Sequence, residues 1–372
     1  MSAHTLVVGA GVSGLSVALA LLQRGHRVTV LERGQTGGES SWAGGGILSP
    51  LLPWDYAEPV AALVLRSMAA YAGWVANIEA RSGLNAEFWR CGMLALEVAA
   101  PEQALAWCAT HGLAAERGSP ARLAPLSPAL PQGGGSNSVW LPGVAQVRNP
   151  RLVTALRAAV ERLGGKIREQ CAATGVQTLG GRVTAVQTPT ETLAADQVVL
   201  ATGAWAGLGL AGLAATPQIR PIRGQMLLFK LDPGALSTIL YRNGLYLIPR
   251  RDGHVLAGST LEDAGFDKAT DDATRQRLHQ AAAELLPALA GLPPLRHWAG
   301  LRPGSPDNIP VIDRHADFDN VFVNTGHYRY GVTMAPASAE LLVDVMEGKA
   351  PALDPAPYRW QAVLERRWTD GS

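Results

Sequence analysis

The feature that most constrains the fold of this chain is a glycine pattern near its N-terminal end. Gly9, Gly11 and Gly14 separate an apolar segment at residues 5–8 from an amphipathic segment at residues 15–24. This order of strand, glycine turn and helix is typical of the Rossmann fold. Its glycines permit a tight turn, a close approach of the backbone to a pyrophosphate, and close packing of helix on strand. The pattern therefore predicts a dinucleotide site.

The second strand of this unit, at residues 27–31, ends at Glu32. A carboxylate at this position accepts hydrogen bonds from a ribose 2′-hydroxyl and repels a 2′-phosphate, so the sequence disfavours NADP. In a chain with 41 glycines the same pattern also arises by chance. The ordered strand, turn, helix and acidic residue argue against chance, but they do not by themselves choose between FAD and NAD.

A second glycine-rich segment, at residues 36–50, reads TGGESSWAGGGILSP. This composition disfavours a stable helix and suits a loop that lies against a planar or phosphorylated ligand. Ser40 and Ser41 would offer hydroxyl groups, and residues 44–46 would offer backbone N–H groups to a pyrophosphate or flavin. A flexible surface loop is the alternative, against which the embedded apolar side chains argue.

Composition narrows the class of protein. The 372 residues carry a formal net charge of +1 and are 47% hydrophobic, which is ordinary for a globular chain of two lobes and gives no basic excess for nucleic acid. The three cysteines lack the spacing of a zinc or redox site, so reduced thiols, no metal and a cytoplasmic location are expected. We expect neither a signal peptide nor a membrane span, because no uninterrupted apolar run approaches roughly 18 residues.

The rest of the chain predicts a fold of the α/β plus α+β class. Helical spacing at residues 63–75, 149–163 and 332–346 and a strand at residues 197–200 extend the first part. That strand leads into Gly203, at the end of a sheet where a ligand can approach. Alternating strands between residues 221 and 260 predict a separate antiparallel sheet, and a helix at residues 271–286 follows it.

Two arginines occupy glycine-bounded turns at expected strand ends. Arg302 lies in GLRPG and Arg329 in GHYRYG, where a guanidinium can hold a carboxylate through two hydrogen bonds. Tyr246 could add a hydroxyl donor, although each of these residues alone is more often an ordinary surface side chain. The helix that follows Gly331 could place its positive end near a reduced flavin, or could simply be a packed C-terminal helix.

These strings together resemble the D-amino-acid oxidase family of flavoproteins along essentially the whole chain. The shared motifs are the N-terminal fingerprint, SSxxxGG at residues 40–46, ADQVVLATGAW at 195–205, PIRGQ at 221–225 and GHYRxG at 326–331. Longer strings such as SSWAGGGILSPL, GSTLEDAGFD and WAGLRPGSPD are most similar to the glycine-oxidase branch of that family.

The resemblance implies the residues of the site. Its FAD contacts fall on Gly9, Gly11, Val12, Ser13, Gly14, Glu32, Arg33, Ser40, Ser41, Gly45, Gly46, Ile47, the backbone of Val176, Gly203, His327, Tyr328, Arg329, Tyr330, Gly331, Val332 and Thr333. The substrate carboxylate would be held by Tyr246, Arg302 and Arg329. Leu261 stands where the branch places a hydrophobic wall residue, often Met. FAD is expected to be non-covalent, because relatives that attach it use a cysteine in the C-terminal part and the last cysteine here is Cys171.

The resemblance also implies the activity and the organisation. Glycine, sarcosine and small D-amino acids would lose a hydride from the α-carbon to flavin N5. The imine would then give a 2-oxo acid and ammonia, and O₂ would give H₂O₂. The imine from glycine would serve thiamine thiazole synthesis. A dehydrogenase with a different electron acceptor, and a silent FAD-binding or tRNA-modifying relative, are the alternatives. Relatives suggest a homotetramer.

Two discontinuous domains are expected. Residues 1–80, 145–215 and 296–372 would form a Rossmann-type FAD-binding domain. Residues 81–144 and 216–295 would form an antiparallel-sheet substrate domain, with the Pro- and Gly-rich segment 122–138 as an excursion of it.

Overall fold

The computed structural model describes residues 3–50, 56–118, 137–214, 216 and 218–368. Most of the predicted excursion at residues 122–138 lies outside the described residues. Within them the helices are α1 (Val12–Gln23), α2 (Ser40–Ala43), α3 (Glu58–Ser82), α4 (Pro101–Thr110), α5 (Asn149–Arg162), α6 (Asp272–Leu285), α7 (Gly331–Met346) and α8 (Trp360–Glu365). The strands are β1 (His4–Val8), β2 (Arg27–Leu31), β3 (Ile47–Leu48), β4 (Trp89–Arg90), β5 (Met93–Leu96), β6 (Glu116–Arg117), β7 (Val139–Leu141), β8 (Ala145–Gln146), β9 (Lys166–Arg168), β10 (Gly175–Leu179), β11 (Arg182–Gln187), β12 (Thr192–Ala194), β13 (Gln197–Leu200), β14 (Arg220–Lys230), β15 (Ile239–Arg242), β16 (Leu245–Pro249), β17 (His254–Gly258), β18 (Arg296–Gly304), β19 (Val311–Arg314) and β20 (Val321–Thr325).

A mostly parallel sheet forms the first half of the fold. Among the described residues its order is β19-β20-β13-β1-β2-β9, and only the edge pair β19 with β20 is antiparallel. Val7 packs on one face with α1, α3, α5 and α7, whereas Leu6 and Val8 pack on the other face with β11. Strands that are buried on both faces have continuous apolar sequences. For this reason the sequence predicts β1 and β13 at their observed positions.

The fingerprint glycines form the turn between β1 and α1. Gly9 has a φ of +107°, and a Cβ on it would lie 2.3 Å from the carbonyl oxygen of Ala201. A Cβ on Gly14 would lie 1.9 Å from the carbonyl oxygen of Gly9, so α1 packs directly on the turn. The helix begins at Val12, three residues earlier than predicted.

A larger, mostly antiparallel sheet forms the second half. Its order is β18-β14-β17-β16-β15-β5-β7-β6 within the described chain, with β15 and β5 as the parallel pair. Helix α6 covers one face through Leu278, Ala282 and Leu285. Helix α4 covers the other face through Ala104 and Cys108. The antiparallel sheet predicted between residues 221 and 260 is confirmed.

One expectation about the path of the chain is corrected. The return to the first sheet was expected after Trp298, but β18 pairs with β14 from the Arg220–Gly304 pair to the Leu228–Arg296 pair. The chain re-enters the first sheet only with β19. The paired residues are 68 to 84 positions apart in the chain, and no local pattern indicates such a pairing. The remaining domain boundaries stay predictions.

By length and composition alone, helix α3 is long and apolar enough to cross a membrane. The sequence was expected to contain no stretch of this kind. The helix includes charged side chains such as Arg66 and Glu79, so it is not an uninterrupted apolar run of the kind that the expectation considered. Val60, Leu63, Val64 and Tyr71 of this helix are buried in the core formed with α5 and α7. Core helices of soluble proteins share this length and composition, and 39% of the apolar stretch is buried here.

Candidate functional site

A cavity extends along the carboxyl ends of the parallel strands and reaches the second sheet. In such sheets ligands bind outside the carboxyl ends, where strand order reverses. Its lining contains the predicted residues Gly9, Gly11, Val12, Ser13, Glu32, Arg33, Ser40, Ser41, Gly45, Gly46, Ile47, Gly203, Tyr246, Arg302, His327, Tyr328, Arg329, Tyr330, Gly331, Val332 and Thr333. Gly14 lies behind the turn. The structure thus brings together residues that are up to 324 positions apart.

Glu32 is fixed at the dinucleotide end of the cavity. Its Oε2 accepts the N–H of Ala10 at 2.8 Å, and its Oε1 accepts the N–H of Gly34 at 2.9 Å. The side chain is buried at the end of β2. Each carboxylate oxygen retains a lone pair that can accept from a ribose hydroxyl, as the sequence predicts for Glu32.

The neighbouring predicted contacts have partners within the protein. The N–H of Val12 donates to Ser41 Oγ at 2.9 Å, so Ser41 holds the start of α1 in place. The Arg33 guanidinium lies 3.5 Å from the centre of the Trp205 ring and pairs with Glu39 at 3.0 Å. These two aromatic and ionic contacts form the rim of the cavity at this end.

The predicted adenine contact at Val176 is not part of the cavity lining, which contains Ala172 and Ala173 instead. The Val176 N–H donates to the carbonyl of Ala211 at 2.9 Å in a small separate sheet. Ala172 and Ala173 follow β9, which extends the parallel sheet beside β2. The sequence signal for Ala172 and Ala173 would be their position after a parallel strand. That strand, β9, is only three residues long, so the signal is weak.

The glycine-rich segment is more ordered than its composition predicts. Residues Ser40–Ala43 form one helical turn, which corrects the expectation of a loop without helix. A Cβ on Gly45 would lie 2.4 Å from Ile248 Cδ1, so a bare backbone is required there. The buried Arg250 donates from Nη2 to the Gly45 carbonyl at 2.8 Å and from Nη1 to the Val147 carbonyl at 3.0 Å. This anchor fixes the segment, and no local sequence pattern predicted it.

Helix α7 begins at the opposite wall of the cavity. Gly331, Val332 and Thr333 form its first turn and line the cavity. The Thr333 hydroxyl donates to the carbonyl of Ile47 at 3.0 Å, which ties the helix to the glycine-rich segment. The first N–H groups of a helix carry partial positive charge and favour an anionic group.

His327 is a buried, neutral member of the lining. Burial lowers the pKa of His327 from 6.5 to about 4. Its Nε2 lies 2.7 Å from Ser338 Oγ, and that hydroxyl donates to Asn324 Oδ1 at 2.6 Å. His327 Nε2 therefore carries the hydrogen, because the serine hydrogen is already donated. The imidazole serves this network and does not act as a cation.

This lowered pKa predicts a loss of stability in acid. Below pH 6.5 the unfolded chain binds a proton at His327 that the folded chain binds only near pH 4. Stability from this group is therefore present above pH 6.5 and is lost as the pH falls, by about 2 to 3 kcal/mol at pH 4.5. Urea unfolding at pH 7 and pH 4.5 should show a smaller acid loss for His327→Gln than for the wild type. Equal losses would contradict the prediction.

The second sheet supplies Arg302 to the substrate end of the cavity. Arg302 Nη1 donates to the Thr260 carbonyl at 3.1 Å, and Nη2 donates to Ser259 Oγ at 2.6 Å. A Cβ on Gly224 would lie 2.1 Å from Arg302 Nη1. The glycine of the PIRGQ motif therefore provides the space in which the guanidinium lies. Gly224 and Ser259 are functional candidates that the sequence analysis missed.

Arg329 lies in the same region of the cavity. It follows Tyr328, which takes a φ of +44° and whose N–H donates to the Pro303 carbonyl at 2.9 Å. Burial raises the pKa of Tyr328, while Arg302 and Arg329 lower it, so both guanidinium groups act on one phenol. Among the described residues Arg329 has no carboxylate within ion-pair distance. A largely buried guanidinium with no carboxylate beside it in the described part of the chain favours an anionic ligand.

Leu261 does not form the hydrophobic wall predicted for it. Its side chain is 52% exposed and is not part of the cavity lining, which contains Ser259 from the same segment. The backbone of the next residue, Glu262, pairs with Arg223, which directs the segment along β14 and out of the cavity.

The residues present fit a flavin adenine dinucleotide. Gly11, Gly203 and Gly331 line the cavity with bare backbone, and a Cβ on any of them would meet no protein atom within 3.0 Å, so a pyrophosphate or a planar ring can approach closely there. Asn149 and Asn324 also line the cavity.

Comparisons with known proteins agree with this site. The family described as FAD dependent oxidoreductase, DAO, matches residues 4–345. The chain is 43% identical to glycine oxidase of Pseudomonas aeruginosa, over 96% of this chain and 98% of the relative. It is 34% identical to the bifunctional protein ThiO/ThiG of Trichormus variabilis, over 95% of this chain and 54% of the relative. The crystal structure of glycine oxidase from Geobacillus kaustophilus matches with a TM-score of 0.88 and 26% identity, over 96% of this chain and 99% of that one.

Proposed function

Because the chain belongs to the DAO family of FAD-dependent oxidoreductases, we propose that it is an oxidase of glycine and other small amines. Identity of 43% to a glycine oxidase along nearly the full length of both chains supports this substrate class. The observation that carries the proposal is Arg329, a mostly buried cation of the cavity whose surroundings hold no carboxylate partner for it among the described residues. An amino acid supplies that partner.

The substrate carboxylate is held by Arg302 and Arg329, with the hydroxyl of Tyr246 beside them. All three line the same cavity, and guanidinium groups match a carboxylate through paired, charge-assisted hydrogen bonds. This arrangement would fix the carboxylate and leave the α-carbon free to face the flavin, since the first turn of α7 lines the same cavity. Orientation of this kind is the main contribution of the protein to the reaction.

FAD, when bound, accepts a hydride from the α-carbon and passes the electrons to O₂, which gives the imine and H₂O₂. The carboxylates of the described lining, Glu32 and Glu39, lie at the dinucleotide end. His327 is neutral and already donates to Ser338. The described lining therefore places no carboxylate or imidazole base at the substrate carboxylate, and the amine loses its proton to solvent before the transfer.

The same proposal assigns the product and the setting. The imine from glycine suits thiazole synthesis for thiamine, and the relative whose name includes ThiO supports this assignment. A cytoplasmic homo-oligomer with non-covalent FAD is proposed by resemblance. If acid-precipitated protein kept the yellow colour, the cofactor would be covalently attached.

Anaerobic reduction of the purified holoenzyme tests the substrate and the acceptor in turn. Glycine should bleach the flavin absorbance, and air should restore it with one H₂O₂ per glycine consumed. Sarcosine, N-ethylglycine and small D-amino acids are compared in the same assay. Bleaching by another amine but not by glycine would overturn the substrate. Reoxidation by an artificial acceptor but not by O₂ would indicate a dehydrogenase.

A further inference from the structure

We propose that Ser259 is a positioning residue that joins Arg302 and Tyr246 into one carboxylate-holding unit. This inference rests on the proposed function, since it concerns the same substrate end of the cavity. Ser259 follows the last residue of β17 and lines the cavity beside both partners. It connects an arginine from β18 with a tyrosine from β16, and β18 and β16 are not neighbours in the sheet.

The contacts of the serine oxygen define its role. Ser259 Oγ lies 2.6 Å from Arg302 Nη2 and 3.0 Å from the Tyr246 hydroxyl. Arg302 donates a second bond to the backbone carbonyl of Thr260 at 3.1 Å. Two adjacent residues thus hold the guanidinium at both terminal nitrogens, and Gly224 leaves the space in which it lies. Three of its five N–H groups remain for a ligand.

The hydroxyl hydrogens of Ser259 and Tyr246 determine which donors the unit offers to a substrate. The guanidinium can only donate to Ser259, whereas Ser259 and Tyr246 share one hydrogen bond that either can donate. Whichever hydroxyl donates within the pair, the other keeps its hydrogen. The pair therefore presents one free O–H next to the Arg302 guanidinium, and both are donors of the kind that a carboxylate accepts.

The segment that carries Ser259 is fixed on its far side. The N–H of Gln225 donates to Thr260 Oγ1 at 2.8 Å. Arg223 and Glu262 exchange backbone hydrogen bonds of 2.9 and 3.0 Å. The serine is thus anchored to β14, the strand that also provides Gly224. A hydroxyl held in this way orients its partners without having to be ordered by the substrate.

Ser259→Ala tests this role in the holoenzyme. We expect the KM for glycine to rise about tenfold while kcat changes less than about threefold. The variant loses the hydrogen bond between the serine hydroxyl and the charged Arg302, which orients the guanidinium for the substrate carboxylate. Acetate, which has the carboxylate but no amine, should bind with a dissociation constant raised by a similar factor. Flavin absorbance follows that titration, so this readout does not require turnover.

A double-mutant cycle with Tyr246→Phe separates positioning from a general structural effect. In the Tyr246→Phe background Ser259→Ala should weaken acetate binding less than in the wild type, because the two hydroxyls act as one unit. Ser67→Ala is the matched control, since it removes a buried hydroxyl that contacts Ala337 outside the cavity. It should leave KM and acetate binding unchanged.

The outcomes distinguish the two proposals. A wild type that binds acetate but does not oxidise glycine would overturn the proposed function. The double-mutant cycle, measured by acetate binding, would then remain as the test of Ser259. Unchanged KM and acetate binding in Ser259→Ala, or strictly additive effects in the cycle, would overturn the role of Ser259. If Ser259→Ala fails to fold with FAD, Ser259→Cys replaces it, because the thiol keeps the size of the group but is a weak acceptor.

Discussion

Gly14→Ala is expected to remove most of the FAD affinity, with a dissociation constant raised by about 100-fold or more, which corresponds to about 3 kcal/mol. The added Cβ would lie 1.9 Å from the carbonyl oxygen of Gly9 and 3.3 Å from Ala201 Cβ. The neighbouring atoms are backbone, which cannot rotate away as a flexible side chain can. Helix α1 must therefore shift from the turn, and its first N–H groups move away from the pyrophosphate.

The FAD to protein ratio after purification and an FAD titration of the apoprotein measure this effect. Gly73→Ala is the matched control, because Gly73 is an exposed residue inside α3 and a Cβ there meets nothing within 4 Å. It should bind FAD normally and gain about 0.5 to 1 kcal/mol of stability, since alanine is favoured over glycine in a helix. Normal FAD affinity in Gly14→Ala would mean that the turn does not hold the cofactor.

Arg329→Met is expected to lower kcat/KM for glycine by about 1000-fold, which corresponds to about 4 kcal/mol. The substitution keeps the apolar stem but removes a mostly buried charge that the substrate carboxylate would neutralise. Most of the loss should fall on KM and on acetate binding, because the carboxylate is bound before and during the transfer. Steady-state kinetics and the acetate titration measure both.

Arg182→Met provides the control for loss of one positive charge. Arg182 is exposed on β11 and does not line the cavity, so its kcat/KM should stay within about twofold of the wild type. The flavin content of Arg329→Met shows whether the cofactor remains bound. A variant that holds FAD and retains the wild-type KM for glycine would contradict the assignment of Arg329 to the substrate.

Local patterns predicted much of the cofactor half. The strands β1, β2 and β13, the glycine turn and Glu32 follow from runs that are apolar on both faces and from glycines whose missing side chains the structure requires. The prediction failed where local composition was misleading. The turn at residues 40–43 is helical although the segment around it is rich in glycine, and its Ser41 accepts the N–H of Val12.

The sequence by itself indicated the Rossmann unit and the two arginine-containing turns, because each of these motifs is encoded by residues that are close together in the chain. The family resemblance combines several such local motifs. Only the tertiary structure decided how Arg302 is held, since Gly224, Ser259 and the guanidinium meet through pairing of β14 with β17 and β18. The same holds for Ala172 and Ala173 in place of Val176. Long-range strand pairing sets these neighbours, and a one-residue change in register would replace them.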